Sequence, residues 1–219
     1  MAATKIGKKI DLKPDQVDIW KIDLNIVEKD LLGLKELLSP EELSRFERFR
    51  SDDQKRRFAA ARGNLRRILS RYTGERPQDL VFEYGEQGKP ELNNRKVRFN
   101  LAHSSDAALL AVTKDKAVGV DIEKMKDLDY AKIAKHYFSD TEFRIIMSFP
   151  EKERKKEFYR NWTRKEAYAK ARGSSILQHL NNNDEGSGWF IADLETDNAH
   201  VAAVAVEGKE IEIRCVRWN

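Results

Sequence analysis

The sequence contains very little cysteine: Cys215 is the only one in 219 residues. A disulfide within the chain and a metal site built from several thiolates are therefore both excluded. Cys215 lies in an apolar, strand-like stretch, and a lone thiol in such a stretch is usually buried and behaves as a small hydrophobic residue. We therefore expect it to have a structural role.

Long hydrophobic runs are also missing. No apolar stretch approaches the ~20 residues that a helix needs to cross a bilayer. The basic residues between Met1 and Lys9 are not followed by the apolar stretch of a secretory signal. We expect a cytoplasmic protein with no membrane-bound part.

A large excess of one charge is absent as well, since 41 Lys and Arg face 37 Asp and Glu, for a formal net charge of +4. So small an excess does not by itself indicate a nucleic-acid-binding protein. The positive charge is uneven, however, with six arginines between residues 56 and 71. Because a guanidinium matches the oxygens of a phosphate, this segment is either a phosphate-binding surface or an ordinary solvated helix face.

Helix boundaries are well marked. Residues 39–42 (SPEE) and 139–142 (SDTE) each place a serine three positions before a glutamate, which is the capping box of a helix N-terminus. The apolar spacing predicts a long helix that ends at Gly74 and a second one from about Lys152 to Arg172 that ends at Gly173.

Strand patterns surround these helices. They cover residues 17–24, 97–101, 107–113, 117–122, 189–194, 201–206 and 210–216, and a polar loop is expected at 181–188. The order predicts an α+β fold with two similar lobes related by a pseudo-two-fold axis, each a small antiparallel sheet packed on a long helix. We place residues 1–114 in the first lobe and 115–219 in the second, with a ligand site between them.

Two acidic residues stand at the end of a predicted strand. Asp121 and Glu123 are two positions apart, so their side chains share one face of the strand. Converging carboxylates repel each other unless a cation lies between them, and Mg²⁺ prefers oxygen ligands. The pair is therefore either part of a magnesium site or two solvated acids at a sheet edge.

The second long helix carries a stripe that could complete such a site. Trp162, Glu166 and Lys170 follow at i,i+4 spacing, and Lys165 flanks them. Glu166 could supply a third carboxylate. An ordinary surface pair of Glu166 with Lys170, beside a core tryptophan, explains the stripe equally well.

Three further polar residues fall at predicted strand ends and turns. His103 follows a strand, where it could bind a phosphate, move a proton or cap a loop. Asn100 could tie a turn to its neighbours. Lys89, in the turn at residues 86–90, is either an anion contact or a solvated loop lysine.

Taken together, these segments resemble the signature blocks of the 4′-phosphopantetheinyl transferases. The matching blocks are residues 99–104 (FNLAHS), 119–123 (GVDIE) and 162–170 (WTRKEAYAK), with 88–90 (GKP) and 138–142 (FSDTE) in matching order and spacing. The resemblance runs from about residue 40 to residue 173. The size and layout look like the long, pseudodimeric surfactin-synthetase-activating type rather than the short trimeric type.

The resemblance implies an enzyme that moves 4′-phosphopantetheine from coenzyme A to a serine of an acyl or peptidyl carrier protein and releases 3′,5′-ADP. It implies Mg²⁺ held by Asp121, Glu123 and Glu166, with Glu166 also the best general base. Lys170 would neutralise the pyrophosphate and assist the leaving group, and His103 would contact a phosphate.

The resemblance also implies where coenzyme A binds. The expected contacts are Arg57, Arg62, Lys89, Pro90, His103, Ser104, Asp121, Lys165 and Lys170, with Arg57 and Arg62 toward the 3′-phosphate and Lys89 with Pro90 at the adenine. Ser51 and Gln54 stand where some members have basic residues, and residues 174–177 (SSIL) replace a second glycine. The pantetheine side of the site is therefore expected to differ in shape.

Carrier domains of fatty acid, polyketide and nonribosomal peptide synthesis are usually acidic around their serine, so a basic enzyme surface suits transient docking. We expect a monomer that binds no nucleic acid. Three alternatives remain: a metal-dependent nuclease using the same acids, a basic RNA-binding module, and a family member that binds coenzyme A without turnover. An RNA-binding module should interleave aromatic and basic residues on a sheet, whereas the arginines here lie on a helix.

Overall fold

The computed structural model describes residues 8–85, 87–175 and 188–218. Its strands are β1 (Gln16–Asp23), β2 (Phe82–Tyr84), β3 (Pro90–Leu92), β4 (Arg98–Ser104), β5 (Ala107–Thr113), β6 (Val118–Lys124), β7 (Trp189–Leu194), β8 (His200–Glu207) and β9 (Glu212–Trp218). Its helices are α1 (Glu28–Lys35), α2 (Pro40–Arg48), α3 (Asp52–Thr73), α4 (Tyr130–Tyr137), α5 (Asp140–Ser148) and α6 (Glu151–Arg172). Among the described residues, no helix is long and apolar enough to span a membrane.

Two main sheets carry the fold. The first has the strand order β4-β5-β1-β9 and the second the order β6-β8-β7, while β2 and β3 form a separate hairpin. The α+β architecture with two lobes is confirmed. One pairing departs from the expected antiparallel sheets, because β9 lies parallel to β1. This last strand returns from the second half of the chain to the first sheet, so the division at residue 114 stays a prediction.

Each sheet packs on one of the two long helices. Leu65 and Leu69 of α3 pack with Trp20 and Leu110 of the first sheet. On α6 the contact with the second sheet is made by small residues, including Ala167 and Ala171 against Ala203 and Ala205. Small side chains allow a helix backbone to come close to a strand, which brings α6 near β6.

A third core joins the two sheets to each other. Val17 and Ile19 of β1 and Leu109 of β5 are buried with Val120 of β6 and Val204 of β8. The two lobes therefore share a hydrophobic core, called the seam below. The seam fixes the position of β6 relative to β4, and this is where the polar residues of the sequence blocks meet.

The predicted helix ends are confirmed. Ser39 and Ser139 each form a complete capping box, and Gly74 and Gly173 end α3 and α6 in the left-handed conformation. That conformation carries no steric penalty for glycine.

Other expectations were wrong or incomplete. Helices α1 and α4 were not predicted. His103 lies within β4 rather than after it, because the strand continues to Ser104. Cys215 is exposed rather than buried, since β9 is the edge strand of the first sheet. Of the loop expected at residues 181–188, residues 181–187 lie outside the described part of the chain.

Candidate active site

Three carboxylates and a lysine meet where β6 packs on α6. Asp121 is buried and Glu123 is half-buried on β6, while α6 supplies Glu166 and Lys170. The Nζ atom of Lys170 lies 2.6 Å from Oδ1 of Asp121. The structure thus brings together the four residues that the family resemblance assigns to the metal and the leaving group, and their roles stay a prediction.

The pKa shifts show that these acids act on one another. Burial raises the pKa of Asp121, and the nearby Lys170 opposes this. Burial also raises the pKa of Glu123, and the charge of Asp121 raises it further. For Glu166, burial is again the main cause of a raised pKa, with Asp121 and Glu123 adding to it and Lys170 opposing. Three acids that repel one another form a site that a cation would stabilise.

The donor set fits a hard cation such as Mg²⁺. All three side chains offer carboxylate oxygens, the ligands that Mg²⁺ prefers. Within the described residues, Oδ2 of Asp121 is buried without a hydrogen-bond partner and so is available as a ligand. In the same part of the chain, no three His, Cys, Asp or Glu side chains are already gathered at metal-binding spacing. The acidic side chains would therefore have to turn toward a common point on binding.

Gly119 sets the distance between β6 and α6. A Cβ atom at this position would lie 2.0 Å from the carbonyl oxygen of Ala167 and 2.4 Å from the amide nitrogen of Ala171. Real Cβ atoms do not approach backbone that closely, so only glycine permits this packing. The glycine of the GVDIE block thus places Glu166 and Lys170 beside Asp121.

Side chains of β4 hold the neighbouring edge of β6. The Oδ1 atom of Asn100 accepts a 2.9 Å hydrogen bond from the backbone N–H of Val120. Ser104 Oγ accepts a 3.0 Å bond from the N–H of Lys124 and donates a 3.0 Å bond to Oε2 of Glu123. Ser104 therefore positions a proposed metal ligand, and its contact with coenzyme A stays a prediction.

A basic cluster lies across from the acids. The His103 side chain is exposed, yet partial burial of its ring lowers its pKa, and the nearby positive charges of Lys170, Arg45 and Arg57 lower it further. Arg57 contacts Asp53 and Asp106 on the outer side of the cluster. This arrangement concentrates positive charge beside a neutral imidazole and suits a phosphate group.

The sequence interpretation missed Arg45. Its only signal was its place on the amphipathic helix α2. Arg45 and Arg48 line an open groove of about 600 Å³ between α2, α3 and the β2–β3 hairpin, and the groove is flanked by Phe58, Arg62 and Tyr84. A groove with arginines and aromatic rings could hold an anionic, partly aromatic ligand.

Among the predicted coenzyme A contacts, Arg62 and Lys165 form ion pairs that join one helix to another. Arg62 Nε lies 3.1 Å from Glu42 Oε1, and its Nη2 donates a 2.7 Å bond to the Tyr84 hydroxyl. Lys165 is buried and lies 2.8 Å from Oε1 of Glu142, the residue that closes the capping box of α5. Both side chains connect helices in this structure, and their contact with coenzyme A stays a prediction.

Lys89 and Pro90 lie in the β2–β3 hairpin. Pro90 pairs with Tyr84 across the hairpin. Lys89 Nζ donates hydrogen bonds to the carbonyl oxygens of Val118, at 2.9 Å, and of Lys170, at 2.6 Å. The β2–β3 hairpin therefore contacts the second lobe through Lys89, the residue that the family resemblance places at the adenine.

Taken together, acidic and basic clusters face each other along the seam. Such a pair suits an enzyme site for cation-assisted transfer at a phosphorus atom, in which the acids would hold a cation and the basic side chains would hold phosphate oxygens.

Comparison with known proteins identifies the family. The model of the 4'-phosphopantetheinyl transferase superfamily matches residues 117–217, and that of the 4'-phosphopantetheinyl transferase N-terminal region matches residues 25–115. The 4'-phosphopantetheinyl transferase HetI of Nostoc sp. is 37% identical over 215 residues, which is 91% of each chain. Psf-1 of Bacillus pumilus is 31% identical over 76% of this chain and 71% of its own, and Sfp of Bacillus subtilis is 29% identical over 66% and 64%.

The chain belongs to the 4′-phosphopantetheinyl transferase family. It is an enzyme that transfers the 4′-phosphopantetheine group of coenzyme A to a serine of a carrier protein. This agrees with the site, because the reaction is a displacement at a phosphorus of the coenzyme A pyrophosphate.

Proposed function

We propose that the acidic and basic clusters along the seam are the catalytic centre of this transfer. The observation that carries the proposal is the 2.6 Å contact of Lys170 with Asp121, beside two further acids whose pKa values are raised. Asp121, Glu123 and Glu166 would hold Mg²⁺, which supplies charge neutralisation on the pyrophosphate. His103, Arg45 and Arg57 would bind phosphate oxygens of coenzyme A.

The chain's own side chains account for the proton and for the leaving group. The carrier serine Oγ forms a bond to the phosphorus that carries pantetheine, and the bond from that phosphorus to the oxygen of 3′,5′-ADP breaks. Glu166, whose pKa is raised by burial, accepts the serine proton. The Lys170 ammonium would stabilise the negative charge that develops on the departing phosphate.

The carrier that fits this surface is acidic. Lys124 and Lys126 are exposed directly after Glu123, and Lys126 is close enough to oppose the rise in the Glu123 pKa. We infer transient docking of an acyl or peptidyl carrier, of the kind used in fatty acid, polyketide or nonribosomal peptide synthesis. The proposal includes action as a monomer in the cytoplasm without a nucleic-acid partner.

Intact mass of an apo acyl carrier protein tests the proposed centre. With the enzyme, coenzyme A and Mg²⁺, the carrier should gain about 340 Da, the mass of the phosphopantetheine group, and EDTA should abolish the gain. Glu166→Gln preserves size but removes both a ligand and the base, so the gain should be lost. A folded Glu166→Gln variant with full activity would exclude the assigned role.

A further inference from the structure

Lys89 connects the first lobe to the catalytic helix through backbone atoms. Its partly buried side chain extends from the β2–β3 hairpin, and Nζ lies 2.6 Å from the carbonyl oxygen of Lys170 and 2.9 Å from that of Val118. One carbonyl belongs to α6 and the other to the first residue of β6. A single ammonium group therefore binds both elements that form the acidic cluster.

Both carbonyl groups belong to backbone that sets the position of α6 against β6. Lys170 is in the last turn of α6, where its carbonyl oxygen accepts the N–H of the capping residue Gly173 at 3.2 Å and has room for a second donor. A cation is favourable at this end of the helix dipole. Val118 directly precedes Gly119, where β6 comes closest to α6. Lys89 thus holds the two elements together next to their tightest contact.

We propose that Lys89 is a positioning residue for the transfer reaction: it fixes the C-terminal turn of α6 against β6, so that Lys170 reaches Asp121 and the leaving phosphate. This inference rests on the proposed function, because it assigns the chemistry to Lys170. It differs from the direct adenine contact that the family resemblance implies, since both measured bonds of the ammonium go to backbone carbonyl groups.

A matched control is available in Lys21. Its Nζ also donates to a backbone carbonyl of the other lobe, at 2.6 Å from Glu195 O, but that contact is on the β7–β8 connection and not on α6. Lys21→Met and Lys89→Met each remove one lysine bridge between the lobes. Only the second removes a bond to the catalytic helix.

The test measures steady-state transfer to an apo carrier protein while coenzyme A is varied, together with the melting temperature of each variant. Lys89→Met should lower kcat about 10- to 100-fold and change KM for coenzyme A less than about threefold, the pattern of a misplaced catalytic group. Lys21→Met should leave kcat and KM within about twofold, although its melting temperature falls. If Lys89→Met does not fold, Lys89→Gln is measured instead: its shorter, uncharged side chain can donate to one carbonyl group but does not bridge Val118 and Lys170, so kcat should again fall with little change in KM.

A double variant separates positioning from an independent effect. In a Lys170→Ala background the ammonium that Lys89 positions is gone, so Lys89→Met should lower kcat by less than about threefold more. If the kcat losses of Lys89→Met and Lys170→Ala multiplied fully in the double variant, the inference would be overturned. A Lys89→Met variant with unchanged kcat, with or without a raised KM for coenzyme A, would overturn it as well. A folded Glu166→Gln variant with full activity would show instead that the proposed centre is wrong, whatever the result for Lys89.

Discussion

The individual side chains of the site fall into those that would touch substrate and those that hold them in place. Glu166 and His103 are of the first kind. Ser104 is of the second, since it bonds to Glu123 and to the backbone of β6. The sequence blocks contain both kinds, so a match to a block does not distinguish a ligand contact from a support.

The lowered pKa of His103 makes stability depend on pH. Burial and the positive charges of Lys170, Arg45 and Arg57 lower it below the unfolded value of about 6.5. As pH falls through that value, the unfolded chain gains a proton that the folded protein does not, so stability decreases until His103 is protonated in the folded state as well. His103→Asn removes this effect, and its melting temperature should fall less than that of the wild type between pH 7.5 and 5.5. If the melting temperatures of the two proteins fell equally over this pH range, the lowered pKa of His103 would be contradicted.

Ser104→Ala tests the support of the acidic cluster. The change removes the hydroxyl that bonds to Glu123 and leaves the N–H of Lys124 without this acceptor. Because groups that orient metal ligands typically contribute about 10- to 100-fold in metal affinity, the Mg²⁺ concentration for half-maximal transfer should rise by that order. The measurement is initial rate against Mg²⁺ at saturating coenzyme A. A raised KM for coenzyme A at an unchanged Mg²⁺ requirement would instead favour direct substrate contact by Ser104.

At the scale of elements, the decisive feature is the close approach of β6 and α6 at Gly119. Gly119→Ala would place a methyl carbon 2.0 Å from the Ala167 carbonyl oxygen, which forces the helix away from the strand. We expect a loss of about 1–3 kcal/mol in the free energy of unfolding, typical of overpacking, and loss of most transfer activity. Urea unfolding and the carrier mass assay measure the two effects.

Gly33→Ala is the matched control for that prediction. Gly33 lies in α1 and an added Cβ would meet no atom within 4 Å. Alanine in a helix interior is favoured over glycine by up to about 1 kcal/mol, so this variant should be as stable as the wild type or slightly more so, with full activity. If Gly33→Ala lost as much stability and activity as Gly119→Ala, the close packing at Gly119 would not be the cause of the losses.

Elements with a strong local signal could be predicted from the sequence. The capping box at Ser39 and the left-handed glycine at Gly173 are each determined by residues close in the sequence, and both are confirmed. Helix α1 has eight residues with Leu34 as its one buried side chain, which leaves little periodicity to detect. The pairing of β9 with β1 joins residues about 200 positions apart, and no local pattern encodes it.

Each half of the candidate site also has a local pattern in the sequence. Asp121 and Glu123 share a strand face by simple alternation, and the α6 stripe follows from helical spacing. The partners of charged side chains were not predictable, because they come from distant elements. Arg62 pairs with Glu42 and Lys165 with Glu142, and only the fold brings these carboxylates to them.

At the scale of the whole molecule, charge near the site should guide the carrier protein. Lys124→Glu and Lys126→Glu reverse two exposed charges beside the acidic cluster. Each should raise KM for an acidic carrier several-fold while KM for coenzyme A stays within about twofold, and added salt should reduce the difference from wild type. Lys114→Glu, at the exposed β5–β6 turn, is the control. An effect of the same size from Lys114→Glu would point to net charge rather than to this surface.

The seam core and β9 should also make the two lobes unfold together. Arg214 of β9 bonds to the fully buried Asp18 of β1 through Nε at 2.8 Å and Nη2 at 2.5 Å. Arg214→Met removes both of these hydrogen bonds, while those from Gln16 and Tyr72 to Asp18 remain, so the free energy of unfolding should fall by roughly 2 kcal/mol. Arg217→Met, on the same strand and exposed, should change it little.

Tryptophan fluorescence can follow the thermal unfolding of each sheet separately. Trp20 and Trp218 lie in the first sheet, whereas Trp162 and Trp189 lie on α6 and in the second sheet, so replacing either pair by phenylalanine leaves a probe of one lobe. With Arg214→Met, both probes should show one coincident transition at a lower temperature, because the seam core contains residues of both sheets. A lower transition for the first probe alone would mean that the two sheets unfold independently.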